Sequence, residues 1–246
     1  MSDWDLVVQS LRRPYRVSVS MIVLVSLVPL YILIAEAVPR RSLHVPEMGL
    51  DRIVPLQPAW ALVYGSLYLF VILLPVFVIR QEEQIRRTVR AYLFIWITAY
   101  VCFLLYPTAA PRPASVAGEG FIVWGLRFLY SADPPYNCFP SLHVAHSFVS
   151  ALACARVHRG VGIAAGCCAS LIAVSTLFTK QHYILDVLAG ILLAVVACAL
   201  FLRRRSGEEI PELDRRVAPI LAAGIIGILG IAVACFWVVY RLSGKV

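Results

Sequence analysis

The stretch "TKQHYILD", residues 179–186, places Lys180, His182 and Asp186 between two long apolar runs. A charge in hydrocarbon costs roughly 2.5–3.5 kcal/mol even on mild insertion scales, so each of these residues calls for a compensating partner. His182 and Asp186 are spaced i, i+4 and share a helix face one turn apart. A carboxylate there holds one imidazole nitrogen and leaves the other free and more nucleophilic, the orienting logic of catalytic triads. The same spacing also suits an interface histidine in a structural ion pair. A second stretch, "CFPSLHVAH" at 138–146, supplies Pro140, Ser141, His143 and His146. Proline suits the first turn of a helix. Ser141 and His143 then fall near a helix start, where free N–H groups and the dipole attract an anion. His146, one turn deeper, reads as a helix-packing hydrogen bonder. A third stretch, "YPTAAPRP" at 106–113, supplies Arg112. Its planar fork fits phosphate oxygens, although a solvated loop arginine has the same signature. Lys180 has the reach to snorkel to headgroups or to bind phosphate.

The elements that must position these residues are membrane helices. The chain has 246 residues, 61% hydrophobic and only 15% charged, whereas a soluble domain carries about a quarter charged residues. Residues 59–79 and 217–240 contain no charge at all, and about 20 apolar residues span a bilayer as a helix. Seven spans are predicted, near 17–36, 59–79, 91–108, 140–156, 160–178, 183–202 and 218–240. All are expected to be helical, because a helix satisfies its own backbone hydrogen bonds in lipid. Pro29 and Pro75 fall inside two of them. The segment "FIVWGLRFLY" at 121–130 reads either as a short interfacial helix or as a loop packing its aromatics on the bundle. The expected fold is therefore an all-α polytopic membrane bundle in a single domain, 1–246, with 203–216 as a solvated linker. The first apolar run, about 19 residues from near Val17, is too long for a typical signal-peptide core.

Net charge is +8, but the basic residues lie in short clusters between apolar runs, as a topology signal does. No basic face with interleaved aromatics and no nucleic-acid motif is present, so nucleic acid is not an expected partner. Arg12, Arg13, Arg16, Arg80, Arg86, Arg87, Arg90, Arg156, Arg159, Arg203, Arg204, Arg205, Arg215 and Arg216 fall on one side, 14 in all. Arg40, Arg41, Arg52, Arg112, Arg127, Lys180, Arg241 and Lys245 fall on the other, 8 in all. The richer side is read as cytoplasmic, with the N-terminus inside and the loops 107–139 and 178–183 facing out. The expected location is a bacterial inner or plasma membrane. Six of the seven cysteines fall in apolar runs and Cys138 in a loop. No zinc spacing appears.

The predicted topology thus brings two histidines, a carboxylate, a serine at a helix start and two cations to one face, a kit for phosphoryl transfer. One histidine attacks phosphorus, the cations balance the oxygens, and the other histidine protonates the departing group.

The order "RP", then "PSLH", then "HYILD" resembles the three signature motifs of the type 2 phosphatidic acid phosphatase (PAP2) superfamily of membrane lipid phosphatases and phosphotransferases. The resemblance implies a six-helix core whose shared part covers about 91–202, plus an additional C-terminal span at about 218–240. It implies a phosphohistidine on His182, Asp186 as its orienting carboxylate and His143 as general acid. Ser141 would help hold the phosphate, Arg112 would match the first motif's arginine, and no metal or other cofactor would be used. The chain departs from the family pattern in three places. Leu105 stands where a lysine is usual, "PSLH" replaces "PSGH", and Ser175 and Thr176 align with a serine–arginine pair. Lys180 is the candidate replacement for that arginine. These departures resemble the inositol phosphorylceramide synthase-like branch.

The leading expectation is a metal-independent phosphatase or phosphotransferase acting on a lipid phosphate or diphosphate at the outer leaflet. The alternative within the superfamily is a headgroup transferase whose phosphohistidine is attacked by an alcohol such as inositol. A small transporter relaying protons through His and Asp fits less well, because the polar residues cluster at one face and broken-helix pairs are not evident. A metal site built from His143, His182 and Asp186 is disfavoured by the two nearby cations and the lack of zinc spacing. The bilayer and a membrane lipid are the implied partners. Oligomeric state is not legible.

Overall fold

The computed structural model describes residues 19–37, 43–203 and 209–243, together with Asp5 and Val8. Of the residues weighed for topology, Arg12, Arg13, Arg16, Arg40, Arg41, Arg204, Arg205 and Lys245 lie outside the described residues, as does 204–208 of the expected linker.

Among the described residues every regular element is a helix. In chain order these are α1 (Val19–Ala37), α2 (Gly49–Ile53), α3 (Trp60–Val78), α4 (Glu82–Leu105), α5 (Phe121–Ala132), α6 (Leu142–Val157), α7 (Arg159–Phe178), α8 (Ile184–Phe201) and α9 (Glu212–Leu242). By length and composition α3, α4, α7, α8 and α9 are able to cross a membrane, while the described apolar stretches Ile22–Ala37 and Leu142–Val157 are shorter. The seven predicted spans map onto α1, α3, α4, α6, α7, α8 and α9. Pro29 and Pro75 both sit within continuous helices. The 121–130 segment is a helix, α5.

Two features go beyond the sequence reading. α4 starts at Glu82, nine residues before the predicted span, and its first turns carry the pairs Arg87–Glu83 (3.0 Å) and Arg86–Glu82 (3.6 Å). Such i, i+4 pairs support a helix outside the apolar slab. The short helix α2 was not anticipated.

α6 lies at the centre, packed on α3, α4, α7 and α8. Its contact surfaces are built from small residues, with Ala145, Ala151, Ala153, Ala165, Ala169, Ala194 and Ala197 buried. In lipid there is no hydrophobic drive between helices, and small side chains allow the close approach that packing requires. Two glycines mark the tightest points. A Cβ on Gly162 would lie 2.3 Å from Ala155 Cα, and one on Gly190 would lie 2.6 Å from the Ser141 carbonyl oxygen. The second contact presses the start of α8 against the start of α6, where the candidate residues are carried. α9 packs chiefly on α3, and α1 on α4. At the opposite end of the bundle Arg80 pairs with Asp214 at 3.4 Å, and Gln81 Nε2 donates to the Glu209 carbonyl at 3.2 Å. These contacts fix the base of α9.

Candidate active site

Three connections meet at one end of the bundle. Thr108 Oγ1, fully buried, accepts from the backbone N–H of Cys138 (3.1 Å) and of Phe139 (3.0 Å). This joins the 106–113 stretch to the one that enters α6. His44 N–H donates to the Pro107 carbonyl at 2.8 Å, and Ala110 N–H to that of Pro135 at 2.8 Å. Ser141 is the N-cap of α6, its Oγ accepting from Val144 N–H at 3.4 Å. Its own N–H donates to the Asp186 carbonyl at 3.0 Å. The starts of α6 and α8 are therefore bonded through their backbones.

On this frame the two histidines face each other. His143 Nδ1 lies 3.4 Å from His182 Nε2, although the residues are 39 positions apart in the chain. On the far side of the His182 ring, Nδ1 lies 3.5 Å from Asp186 Oδ2. That is an ion-pair distance, longer than a good hydrogen bond. Asp186 is fully buried and His182 is 5% exposed. Asp186 Oδ2 is itself fixed by the Tyr183 N–H at 2.8 Å. A proton on His182 Nδ1, directed at the carboxylate, leaves Nε2 with its lone pair toward His143.

Arg112 is tied down on several sides. It donates to the carbonyls of Tyr130 (3.2 Å) and Asp133 (2.7 Å) and to Gln181 Oε1. It also pairs with the Asp133 carboxylate at 3.5 Å and stacks over the Tyr130 ring at 4.6 Å. The guanidinium thus satisfies carbonyls at the end of α5 and links that end to the residue before His182. Burial pushes the Tyr130 phenol up to about 12, against a smaller opposing pull from Arg112, so it is a donor at neutral pH. Its hydroxyl donates to the Thr179 carbonyl at 2.6 Å.

Lys180 has φ 55°, in the left-handed region. Its ammonium donates to the carbonyls of Val54 (2.5 Å) and Asp51 (3.3 Å). The charge that the sequence directs to phosphate or headgroups is held here by the α2 segment. Asp51 in turn accepts from Ile184 N–H at 2.8 Å and so caps α8 from more than a hundred residues away.

The structure therefore brings His143, His182, Asp186 and Ser141 together, places Arg112 beside them through Gln181, and ties Lys180 to α2. Three functional candidates escaped the sequence reading: Gln181, Asp133 and Asp51. Gln181 directly precedes His182, and that adjacency was its only signal. Arg112 Nε and Gln181 Nε2 are buried donors with no protein partner among the described residues. Each costs about 1–3 kcal/mol unless something accepts from it. No group of three or more His, Cys, Asp or Glu suited to a metal ion occurs among the described residues.

With this geometry in view, the comparison with known sequences is decisive for the family. Residues 46–200, more than half of the chain, match the PAP2 superfamily. The chain belongs to the PAP2 superfamily. The PAP2 match takes in α2 and α3 as well as nearly all of the 91–202 stretch, and it ends before α9. A PA-phosphatase related-family protein of Dictyostelium discoideum is 28% identical over 127 residues, which cover 46% of this chain and 23% of that protein. The PAP2 chain thus matches less than a quarter of that relative's length. No solved structure matches it.

Proposed function

We propose that this PAP2 protein is a membrane phosphatase that hydrolyses a lipid phosphate or diphosphate through a phosphohistidine on His182. The observation that carries the reading is the line Asp186 Oδ2, His182 Nδ1, His182 Nε2, His143 Nδ1. It orients one imidazole by a buried carboxylate and points its free nitrogen at a second imidazole.

The His182 Nε2 lone pair forms a bond to phosphorus, and the bond from phosphorus to the ester oxygen breaks. The electron pair stays on that oxygen, which takes a proton from His143 Nδ1 and leaves as the lipid alcohol. Water then attacks phosphorus and gives its proton to His143, and the P–N bond breaks to release inorganic phosphate. An in-line arrangement needs about 3 Å from nitrogen to phosphorus and about 3 Å from the leaving oxygen to the acid. The two ring nitrogens therefore part when substrate enters, and rotation of the partly buried His143 provides the room. Arg112 Nε, Gln181 Nε2 and the Ser141 hydroxyl are donors for the phosphoryl oxygens. Of these, Arg112 carries the positive charge, while Gln181 and Ser141 contribute neutral hydrogen bonds.

The active site faces the extracytoplasmic side and the N-terminus the cytoplasm, on the basis of the 14-to-8 distribution of Lys and Arg. The test is phosphate release from phosphatidic acid in mixed micelles containing chelator, with trapping of 32P on the protein. His182→Ala is expected to abolish both signals, and His143→Ala to slow turnover. Full activity in His182→Ala sinks the mechanism. A phosphodiester lipid formed only when a polyol is supplied would move the reading to a headgroup transferase.

A further inference from the structure

A cavity of about 400 Å³ lies between α3, α5 and α9, with His143 and Asp133 among the residues that line it. That volume is within the roughly 300–1,000 Å³ of small-molecule sites. One wall is a single face of α9, where Leu229, Ala232, Val233 and Phe236 repeat at i, i+3, i+4, i+7. α9 lies outside the stretch matched to the family, so the family match does not account for this wall. An aromatic ladder joins α5 to α9. Trp124 lies 6.4 Å from Phe236 and 5.7 Å from Tyr240, and Phe128 lies 5.5 Å from Phe236, centroid to centroid. Leu69, Phe128 and Phe236 line the cavity yet remain exposed on the bundle surface. The space therefore opens sideways, through apolar side chains on the flank of the bundle.

We propose that this cleft receives one hydrocarbon chain of the lipid phosphate and that α5 and α9 thereby set which chains are accepted. The proposal rests on the phosphatase reading for the identity of the headgroup. Its own basis is the continuity of an apolar, laterally open channel with the imidazole that faces His182. Lipid tails are as apolar as leucine, so entering the cleft brings no hydrophobic gain over the bilayer. The cleft acts instead by shape. It fixes the chain so that the phosphate is held at the histidines, which is where positioning raises rate. Gly65 and Gly125 leave its middle open: each lines the cavity, and a Cβ on either meets nothing within 4 Å. A leucine at either site starts from an unobstructed Cβ and occupies chain space. It also improves helix propensity by roughly 1 kcal/mol over glycine, which favours folding of the variants.

The experiment compares phosphate release from hexadecyl phosphate and butyl phosphate by the full chain in nanodiscs. Wild type is expected to prefer the long chain. Gly65→Leu and Gly125→Leu are expected to lower the long-to-short ratio about tenfold, the scale of an overpacking penalty. Gly227→Leu, on the exposed face of α9 with equally open space, should leave the ratio unmoved. An unchanged ratio in both cleft variants overturns the tail site while leaving the phosphatase reading intact. Absence of phosphate release from any substrate in wild type overturns the phosphatase reading instead. The cleft is then judged by quenching of Trp124 fluorescence by doxyl-labelled hexadecyl phosphate, taken as the part that Trp124→Phe removes. Quenching lost in Gly125→Leu upholds the tail site, and quenching unaffected by it overturns the site.

Discussion

His143 and His146 lie one turn apart on α6, and their surroundings differ in one respect that decides what each can do. Both touch aromatic rings. His143 packs edge-on to Tyr64 (5.3 Å) and Tyr68 (4.8 Å), and His146 to Tyr92 (4.3 Å), Trp96 (6.3 Å) and Tyr68 (6.5 Å). Only His143 is met by the segment entering α8, which brings the ring of His182 and behind it the buried carboxylate of Asp186. His146 Nδ1 is buried with no hydrogen-bond partner. The helix-packing role expected of His146 is therefore filled through ring contacts rather than through a bond from that nitrogen. A histidine in a membrane bundle acquires chemistry from what a second helix delivers to it, and its own helix register does not decide the matter.

The sharpest way to break this comparison is turnover by paired variants. His182→Ala should lose at least about 10³-fold in phosphate release, since removing a covalent nucleophile removes the pathway. His143→Ala should lose about 10²–10⁴-fold, the usual worth of a positioned acid–base group. His146→Phe should retain wild-type turnover, and a loss comparable to that of His143→Ala would erase the distinction. Next in size is the oxyanion arm. Gln181→Ala removes a buried donor next to the nucleophile and should lower kcat about 10²-fold, with little change in melting temperature. A fall in stability without a fall in kcat would make Gln181 a mere tether for Arg112.

A smaller effect separates cap from chemistry. Asp51→Ala leaves the Ile184 N–H without its carboxylate and should cost about 1 kcal/mol of stability, seen as a melting shift in detergent. The smallest signal is chemical labelling. Burial, reinforced by the Asp186 and Asp133 charges, pushes the Cys138 thiol well above its ordinary value. The reactive thiolate is therefore scarce at neutral pH. Iodoacetamide should spare buried Cys138 in the folded protein and label it once the chain is unfolded in denaturant, as read by peptide mass spectrometry.

Much of this was legible in the sequence. The helices followed from apolar run length, because lipid leaves the backbone no other way to bond. The His182–Asp186 pairing was suggested by their i, i+4 spacing. His182 lies ahead of the Tyr183 N-cap of α8, however, so the two meet across a helix start rather than on one helix face. Ser141 as a helix start followed from Pro140 before it. The sequence reading missed partners that carry no local pattern. Lys180 reads as a phosphate or headgroup ligand until Asp51 and Val54, over 120 residues earlier, are seen to hold it. Asp133 is one acid in an aromatic loop, and nothing near it in the chain indicates that Tyr31 donates to it at 3.0 Å or that Arg112 pairs with it. α2 is too short to show periodicity. The face of α9 that lines the cavity has an ordinary helical repeat, and only the fold reveals which neighbour it lacks.

Asp51 sets a lower limit on how far this protein can be trimmed. The helix bearing Asp186 starts under a carboxylate contributed by a segment ahead of α3, and Lys180 is moored to the same few residues. A fragment cut just before Trp60 would keep both imidazoles and every later span, yet it would free the segment that carries His182 into α8. The smallest competent version of the enzyme must reach back past Met48, whose N–H shares the Asp51 side chain at 2.7 Å.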